Sequence, residues 1–391
     1  MSIMIEKLNW RGEGVAGDEV FRRVLPGETV DETTGELTHS SSERIEPFCP
    51  YYAQCGGCQL QHWSAEPYQA WKLSLVRDAL SKRGIEAEDS RFIDAHGAGR
   101  RRVTLHVRKK DGTVTAGFMA PRSHNLIDIV VCPILTPALA NATAIARTIG
   151  SKLGDCDVSL TAADNGLDVA VKVERKIAEE QMPKLAGLVA ALNLLRLTVN
   201  GNLVAIQATP TMAIGSSLVA LPPGSFLQAT KLGEETLSDL VMIGVGKAKT
   251  TADLFCGIGP FSLRLAAKTK LTALDNDRAA IASLAQAARQ TTGIKPLQPA
   301  VRDLMREPLV ANELKEFDAV VFDPPRAGAE AQARQLAKSK VTTVVAVSCD
   351  PATLARDAEI LVGGGYALKS VTAVDQFKYT SHVETVAVFG R

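Results

Sequence analysis

The sequence predicts an α/β protein whose C-terminal part is a parallel sheet wrapped by helices, and three observations predict it. Apolar runs rich in β-branched residues recur as TTADLFC (250–256), LTALD (271–275), AVVFDPP (319–325) and TVVAVSC (343–349), the pattern of strands buried on both faces. Helical patterns separate them, among them RAAIASLAQAARQ after Asp277 and ATLARDAEIL after Pro351. Chemically versatile residues, Asp275 and Cys349 first, stand at the carboxyl ends of the runs, where an open α/β sheet forms its ligand crevice.

Composition sets the bounds. A chain of 391 residues suits two or three domains, and 46% hydrophobic with 22% charged residues is ordinary globular composition. No eighteen-residue apolar run occurs and the start, MSIMIEKLNW, lacks a signal-peptide core, so a cytoplasmic address with no membrane contact is expected. A net charge of +1 implies no nucleic-acid partner by itself, so local charge must be read. Seven cysteines, odd in number and unevenly spaced, favour metal, cluster or catalytic roles over disulfides.

In chain order, residues 1–46 read as short strands broken by turns, followed by a polar linker from Asp31 to Glu46. The pattern GEGVAGDEVF with LPGETV resembles an abbreviated TRAM domain, a small RNA-binding β-barrel. Residues 47–215 form a second expected unit. It opens with Cys49, Cys55 and Cys58, whose loop contains Gly56 and Gly57 and can turn tightly enough to bring thiolates together. Cys132, at the end of a strand-like run, is the best fourth ligand. Four thiolates suit a tetrahedral zinc or a [4Fe-4S] cluster, and spacing does not separate the two. A helix over Tyr68–Arg83 stops at Gly84. The stretch RRRVTLHVRKK, Arg100–Lys110, reads as a basic hairpin strand suited to tracking phosphates. The rest of this unit is a mixed α/β insert.

Residues 216–391 form the third unit. Its first strand runs into DLFCGIGPF, where Gly257 and Gly259 let backbone approach a ligand at a helix amino terminus. Asp275, about twenty residues on, is placed for a ribose diol. The lack of a third glycine at dinucleotide spacing and the presence of Asp253 suit S-adenosylmethionine better than NAD. Asp323-Pro324-Pro325-Arg326 is similar to the DPPY motif of amino methyltransferases, but Arg326 replaces the base-stacking aromatic, which argues against amino methylation. Cys349 at a strand end is either a nucleophile or one more buried small side chain.

Taken together, CPYYAQCGGCQLQHW, SFLQATK, DLFCGIGPF, FDPPRAG, VSCDPATLARD and DQFKYTSHVETVAVF resemble the RNA uracil-C5-methyltransferase family, over nearly the whole chain. The resemblance implies a Rossmann-like class I methyltransferase domain, an RNA-binding insert holding a [4Fe-4S] cluster, and the abbreviated TRAM-like domain. It implies Cys349 as nucleophile and Glu384 as base. Gln228, Phe255, Asp275, Asp303 and Asp323 fall on contacts to S-adenosylmethionine, and Cys49, Cys55, Cys58 and Cys132 on cluster ligands. It leans to the 23S rRNA branch and to a monomer binding RNA through Arg100–Lys110 and the TRAM-like region, and it implies that helix Tyr68–Arg83 packs back on the catalytic domain. Thr230, Pro260 and Asp275 depart from the usual family residues. The competing readings are transfer-RNA uridine methylation, radical chemistry, and a non-catalytic metal-containing RNA-binding protein.

Overall fold

A computed structural model describes residues 1–391, the side chain of residue 179 aside. Its largest sheet has eight strands in the order Leu297–Val301, Lys270–Asp275, Thr250–Leu254, Ala319–Phe322, Thr343–Ser348, Glu384–Gly390, Ala367–Asp375 and Arg91–Asp94. The first five are parallel, and Glu384–Gly390 inserts antiparallel between Thr343–Ser348 and Ala367–Asp375. The period-two pleat explains the continuous apolar runs. Val320, Phe322, Val344 and Ala346 face one core, whereas Val321, Val345 and Val347 face the other.

Helices Glu330–Ala337 and Pro351–Gly363 cover the first face, Lys231–Val245 and Arg278–Gln290 the second. Two of them begin at strand ends with side-chain caps. Asp277 accepts the N–H groups of Ala279 and Ala280, and Asp350 those of Ala352 and Thr353, with Pro351 in the first turn. The Asp350 cap fixes Cys349 in the gap between strand Thr343–Ser348 and its helix.

Segments from before residue 216 also pack on the eight-stranded sheet. Helix Ala65–Ser81 buries Val76 and Leu80 in the core of the eight-stranded sheet, and Arg91–Asp94 pairs with Ala367–Asp375 as its edge strand. The hairpin of Thr211–Ile214 and Ser217–Ala220 straddles residue 215 and packs Met212, Ile214 and Val219 against the same sheet. Between these segments lies a mixed seven-stranded sheet running from Leu126–Asp128 at one edge to Asn202–Ile206 at the other, with helices Ala142–Leu153 and Met182–Ala191 closing its core. The amino-terminal residues form two three-stranded sheets around Ile5, Ala16, Val24 and Val30. Part of the expected linker is strand here, since Leu37–His39 pairs with Thr29–Asp31. Among the described residues, no helix is long and apolar enough to cross a membrane.

Candidate active site

The carboxyl ends of the central strands open onto a cavity of about 650 Å³. Gln228, Phe255, Gly257, Asp275, Asp303, Asp323, Cys349 and Glu384 all line it, although they come from separate stretches of chain. Gly259 does not. Its φ of +87° needs glycine, and a Cβ there would stand 2.4 Å from Leu284 Cδ1, so this glycine serves helix packing rather than ligand contact. Gly257, at φ +53°, has open space where its Cβ would be.

The glycine turn is held from below. Asp275 Oδ2 accepts the Gly257 N–H at 2.8 Å, and its Oδ1 accepts the Asp277 N–H at 2.8 Å. Phe255 takes a positive φ of 63°, costly for a side chain with a Cβ and characteristic of functional turns. Asp253, fully buried beneath, accepts the Ser262 hydroxyl, and burial pushes its carboxyl up to about 7. It shapes the turn and does not line the cavity.

The other half of the cavity carries the reactive groups. Glu384 opens the strand Glu384–Gly390 and is 3% exposed. Its Oε1 accepts the Gln376 amide at 3.3 Å, while its Oε2 is buried without a partner. Asp323 accepts Gln228 Nε2 at 3.0 Å. Burial, and for Glu384 also the neighbouring charge of Asp323, pushes both carboxyls well above the ordinary range. Burial and the same two carboxylates push the Cys349 thiol up to about 11, with Arg326 opposing them. His382 is pushed down to about 4 by burial and by Arg326, Lys72 and Arg100, so its neutral ring accepts from Arg326 Nη2 at 3.2 Å.

The loop bearing His382 is tied to the amino-terminal half. Lys72, fully buried, makes an ion pair of 2.9 Å with Asp375 and donates to the His382 carbonyl. Tyr68 donates to Asp375 at 2.6 Å and accepts the Tyr379 N–H. The cysteine loop adds the N–H groups of Gln59 and Leu60, both donated to the Tyr379 carbonyl.

Cys49, Cys55, Cys58 and Cys132 line one smaller cavity of about 160 Å³ and are free thiols. Burial pushes the Cys58 thiol up to about 11 and Cys132 to about 12, with the neighbouring thiols adding to the effect. The Gly57 N–H points at Cys55 Sγ at 3.3 Å. Among the described residues, no three histidine, cysteine or acidic groups are drawn together tightly enough to hold a metal ion. A single zinc needs sulfurs on one centre at about 2.3 Å.

The basic stretch is less open than its composition suggests. Arg101 is 4% exposed, pairs with Glu234 at 2.7 Å and donates to the Gln228 carbonyl. Arg100 lies over the Phe377 ring, Arg108 faces Asp155, and Lys109 donates to the Ser151 carbonyl. Arg101 therefore holds the site together and cannot track phosphate.

A largely parallel sheet with a glycine turn, a strand-end acid and a roomy cavity at its carboxyl edge is the architecture of a nucleotide-cofactor α/β enzyme, and the relatives identify the class as S-adenosylmethionine-dependent methyltransferases. Residues 221–391 match the family model described as tRNA (uracil-5-)-methyltransferase. An RNA methyltransferase of Brucella suis is 43% identical, the alignment covering 99% of this chain and 97% of the relative. The 23S rRNA (uracil(1939)-C(5))-methyltransferase of Halomonas elongata is 32% identical over 98% of this chain and 88% of its own. The tRNA (uracil-54, C5)-methyltransferase of Pyrococcus abyssi, solved with S-adenosyl-L-homocysteine, shares the fold at a TM-score of 0.75, with 22% identity and coverage of 100% and 99%. The chain belongs to the RNA uracil-C5-methyltransferase family.

Sequence reasoning did not assign Gln376, Phe226 or Phe377, although the last two line the cavity. Gln376 and Phe377 sit in DQFKYTSHVE; Gln376 takes its partners from Gln228, Ala229 and Glu384, and Phe377 stacks near His382 and Arg100.

Proposed function

We propose that this enzyme methylates carbon 5 of one uridine by a covalent cycle run by Cys349 and Glu384. The observation that carries the proposal is their meeting, from separate strand ends, on the wall of one cavity with Asp323. S-adenosylmethionine, when bound, supplies the methyl group. Gln228, Phe255, Gly257, Asp275, Asp303 and Asp323 hold it against that wall. Cys349 adds its sulfur to carbon 6 of uracil, which turns carbon 5 into a nucleophile able to take a methyl group. Glu384, which must first give up its own proton to solvent because burial favours its neutral form, then removes the carbon 5 proton, and the sulfur leaves. Ionising Cys349 beside two carboxylates is unfavourable, and Arg326 is the side chain that opposes this and favours the thiolate. His382, held neutral, and Phe377 flank the entering base. That base must be unstacked to reach the sulfur.

Cys49, Cys55, Cys58 and Cys132 are the ligands proposed for a [4Fe-4S] cluster, whose chemistry here is structural because methyl transfer is redox neutral. It would brace the loop that carries Gln59 and Leu60. Anaerobically purified protein is expected to be brown with near-ultraviolet absorption. A colourless, zinc-stoichiometric sample would remove the cluster.

The RNA approaches, in this reading, along a groove shared by the TRAM-like region, the cysteine loop and the catalytic loop. Arg11 and Arg22 line it beside Trp10, which is 68% exposed, with Arg122 paired to Glu13 at 2.6 Å and Arg23 donating to the Ala53 and Cys55 carbonyls, and His382 joins it to the main cavity. Arginines with an exposed aromatic suit a single-stranded segment. The 32% identity to a 23S rRNA enzyme favours large-subunit RNA as substrate. The test is incubation with labelled S-adenosylmethionine and RNA from a strain deleted for the gene. Loss of transfer in Cys349→Ala is expected, and retained transfer would overturn the mechanism.

A further inference from the structure

Gln376 stands between the two acidic groups of the site, fully buried, immediately after the strand Ala367–Asp375. Three partners fix its amide. Oε1 accepts the Ala229 N–H at 2.8 Å, which makes Nε2 the donor end. Nε2 donates to Gln228 Oε1 at 2.6 Å and to Glu384 Oε1 at 3.3 Å. With its oxygen occupied, Gln228 turns its own Nε2 toward Asp323 Oδ2 at 3.0 Å. One polar chain thus runs from Asp323 through Gln228 and Gln376 to Glu384.

The neighbouring helix leaves room for this arrangement. A Cβ at Gly233 would come within 2.7 Å of Gln376 Oε1 and 2.8 Å of its Cβ. Only a glycine there lets Gln376 lie where it does.

We infer that Gln376 is the positioning residue of the base: it pins Oε1 of Glu384, leaves the unpartnered Oε2 as the oxygen that takes the proton, and ties that base to Asp323 through Gln228. The inference deepens the proposed cycle and rests on its assignment of Cys349 and Glu384. In the elimination step the carbon 5 to hydrogen bond breaks and its electron pair forms the carbon 5 to carbon 6 double bond. The carbon 6 to sulfur bond breaks with its electrons returning to Cys349, and the proton ends on Oε2. No other reactant is required. A neutral amide suits the task because it orients a carboxylate while depressing its basicity less than a lysine or arginine would.

The partition of intermediates reads this out. Wild type, Gln376→Met, Glu384→Gln and Cys349→Ala are incubated with methyl-labelled S-adenosylmethionine and RNA from the deletion strain. Free 5-methyluridine is followed over time, together with label retained on the protein after ribonuclease digestion and a denaturing gel. Gln376→Met is expected to release product about tenfold more slowly, a part of the roughly 10²–10⁴-fold that a positioned general base contributes. It should also accumulate protein-bound label above wild type, as Glu384→Gln does, and move the acid limb of the rate profile. A variant that merely loosens the fold would lower both signals together. Gln376→Asn, too short to reach both Ala229 and Glu384, gives the same readout if the methionine variant does not fold. Wild-type turnover and label in these variants, with Cys349→Ala inactive, would overturn the positioning role and leave the cycle standing. Activity in Cys349→Ala would bring down the cycle and this inference with it.

Discussion

Replacing Glu384 by glutamine should stabilise the protein while stopping the reaction, and the size of the gain follows from its burial. The carboxyl is raised from 4.5 to about 8, with burial the first cause and Asp323 the second. Because the folded value lies above the unfolded one, the folded state keeps a proton that the unfolded chain sheds. That stability is fully present below about pH 4.5 and is lost progressively as pH rises through 8. At pH 7 the unfolded chain has ionised while the folded one resists, so the wild type carries a penalty on the order of a few kcal/mol, shared with Asp323 because the two carboxyls titrate as a pair. Glu384→Gln is nearly isosteric and cannot ionise, so urea unfolding at pH 7 should show it more stable by about that amount. The gain should shrink toward zero at pH 4.5. A glutamine variant equally stable at both pH values, or less stable at pH 7, would refute the picture of a desolvated base.

Other expectations concern how the site is held. Lys72→Met leaves Asp375 buried without its cation and should cost about 3–5 kcal/mol in urea unfolding, and adding Asp375→Asn should recover most of it. Gly259→Ala forces a Cβ against Leu284 at a positive φ and should cost about 1–3 kcal/mol in thermal unfolding, an effect on the fold that a purely ligand-binding glycine would not show. Arg22→Ala with Arg122→Ala should weaken RNA binding without changing affinity for S-adenosylmethionine. The double variant should also lower the slope of log affinity against log salt by about one for each phosphate it no longer neutralises, measured by filter binding.

The strand-end logic made much of this site legible in the sequence. Runs ending in Asp275, Asp323 and Cys349 are apolar on alternate residues toward two cores, so their last residues had only the crevice to face. The helix after Pro351 was readable too, whereas its Asp350 cap behind Cys349 emerged only with the structure. What stayed hidden depends on contacts across the chain. Gln376 is one glutamine in a polar stretch until Gln228 and Ala229 arrive from some 147 residues away. Arg101 looked like one more surface charge because the burial imposed by Glu234, on a helix 133 residues later, leaves no local mark. Gly259 matched a ligand-binding pattern whose glycines serve two purposes, and only the position of Leu284 separates packing from binding. The edge strand Arg91–Asp94 escaped notice for the same reason, being four residues long and specified by its neighbour.

The most direct test of the central claim is mass-spectrometric mapping of 5-methyluridine in RNA from a deletion strain complemented with wild type or with Cys349→Ala. The covalent cycle predicts one uridine that loses its carbon 5 methyl on deletion, regains it with wild type, and stays unmethylated with the alanine variant. Restoration of that methyl by Cys349→Ala would contradict it.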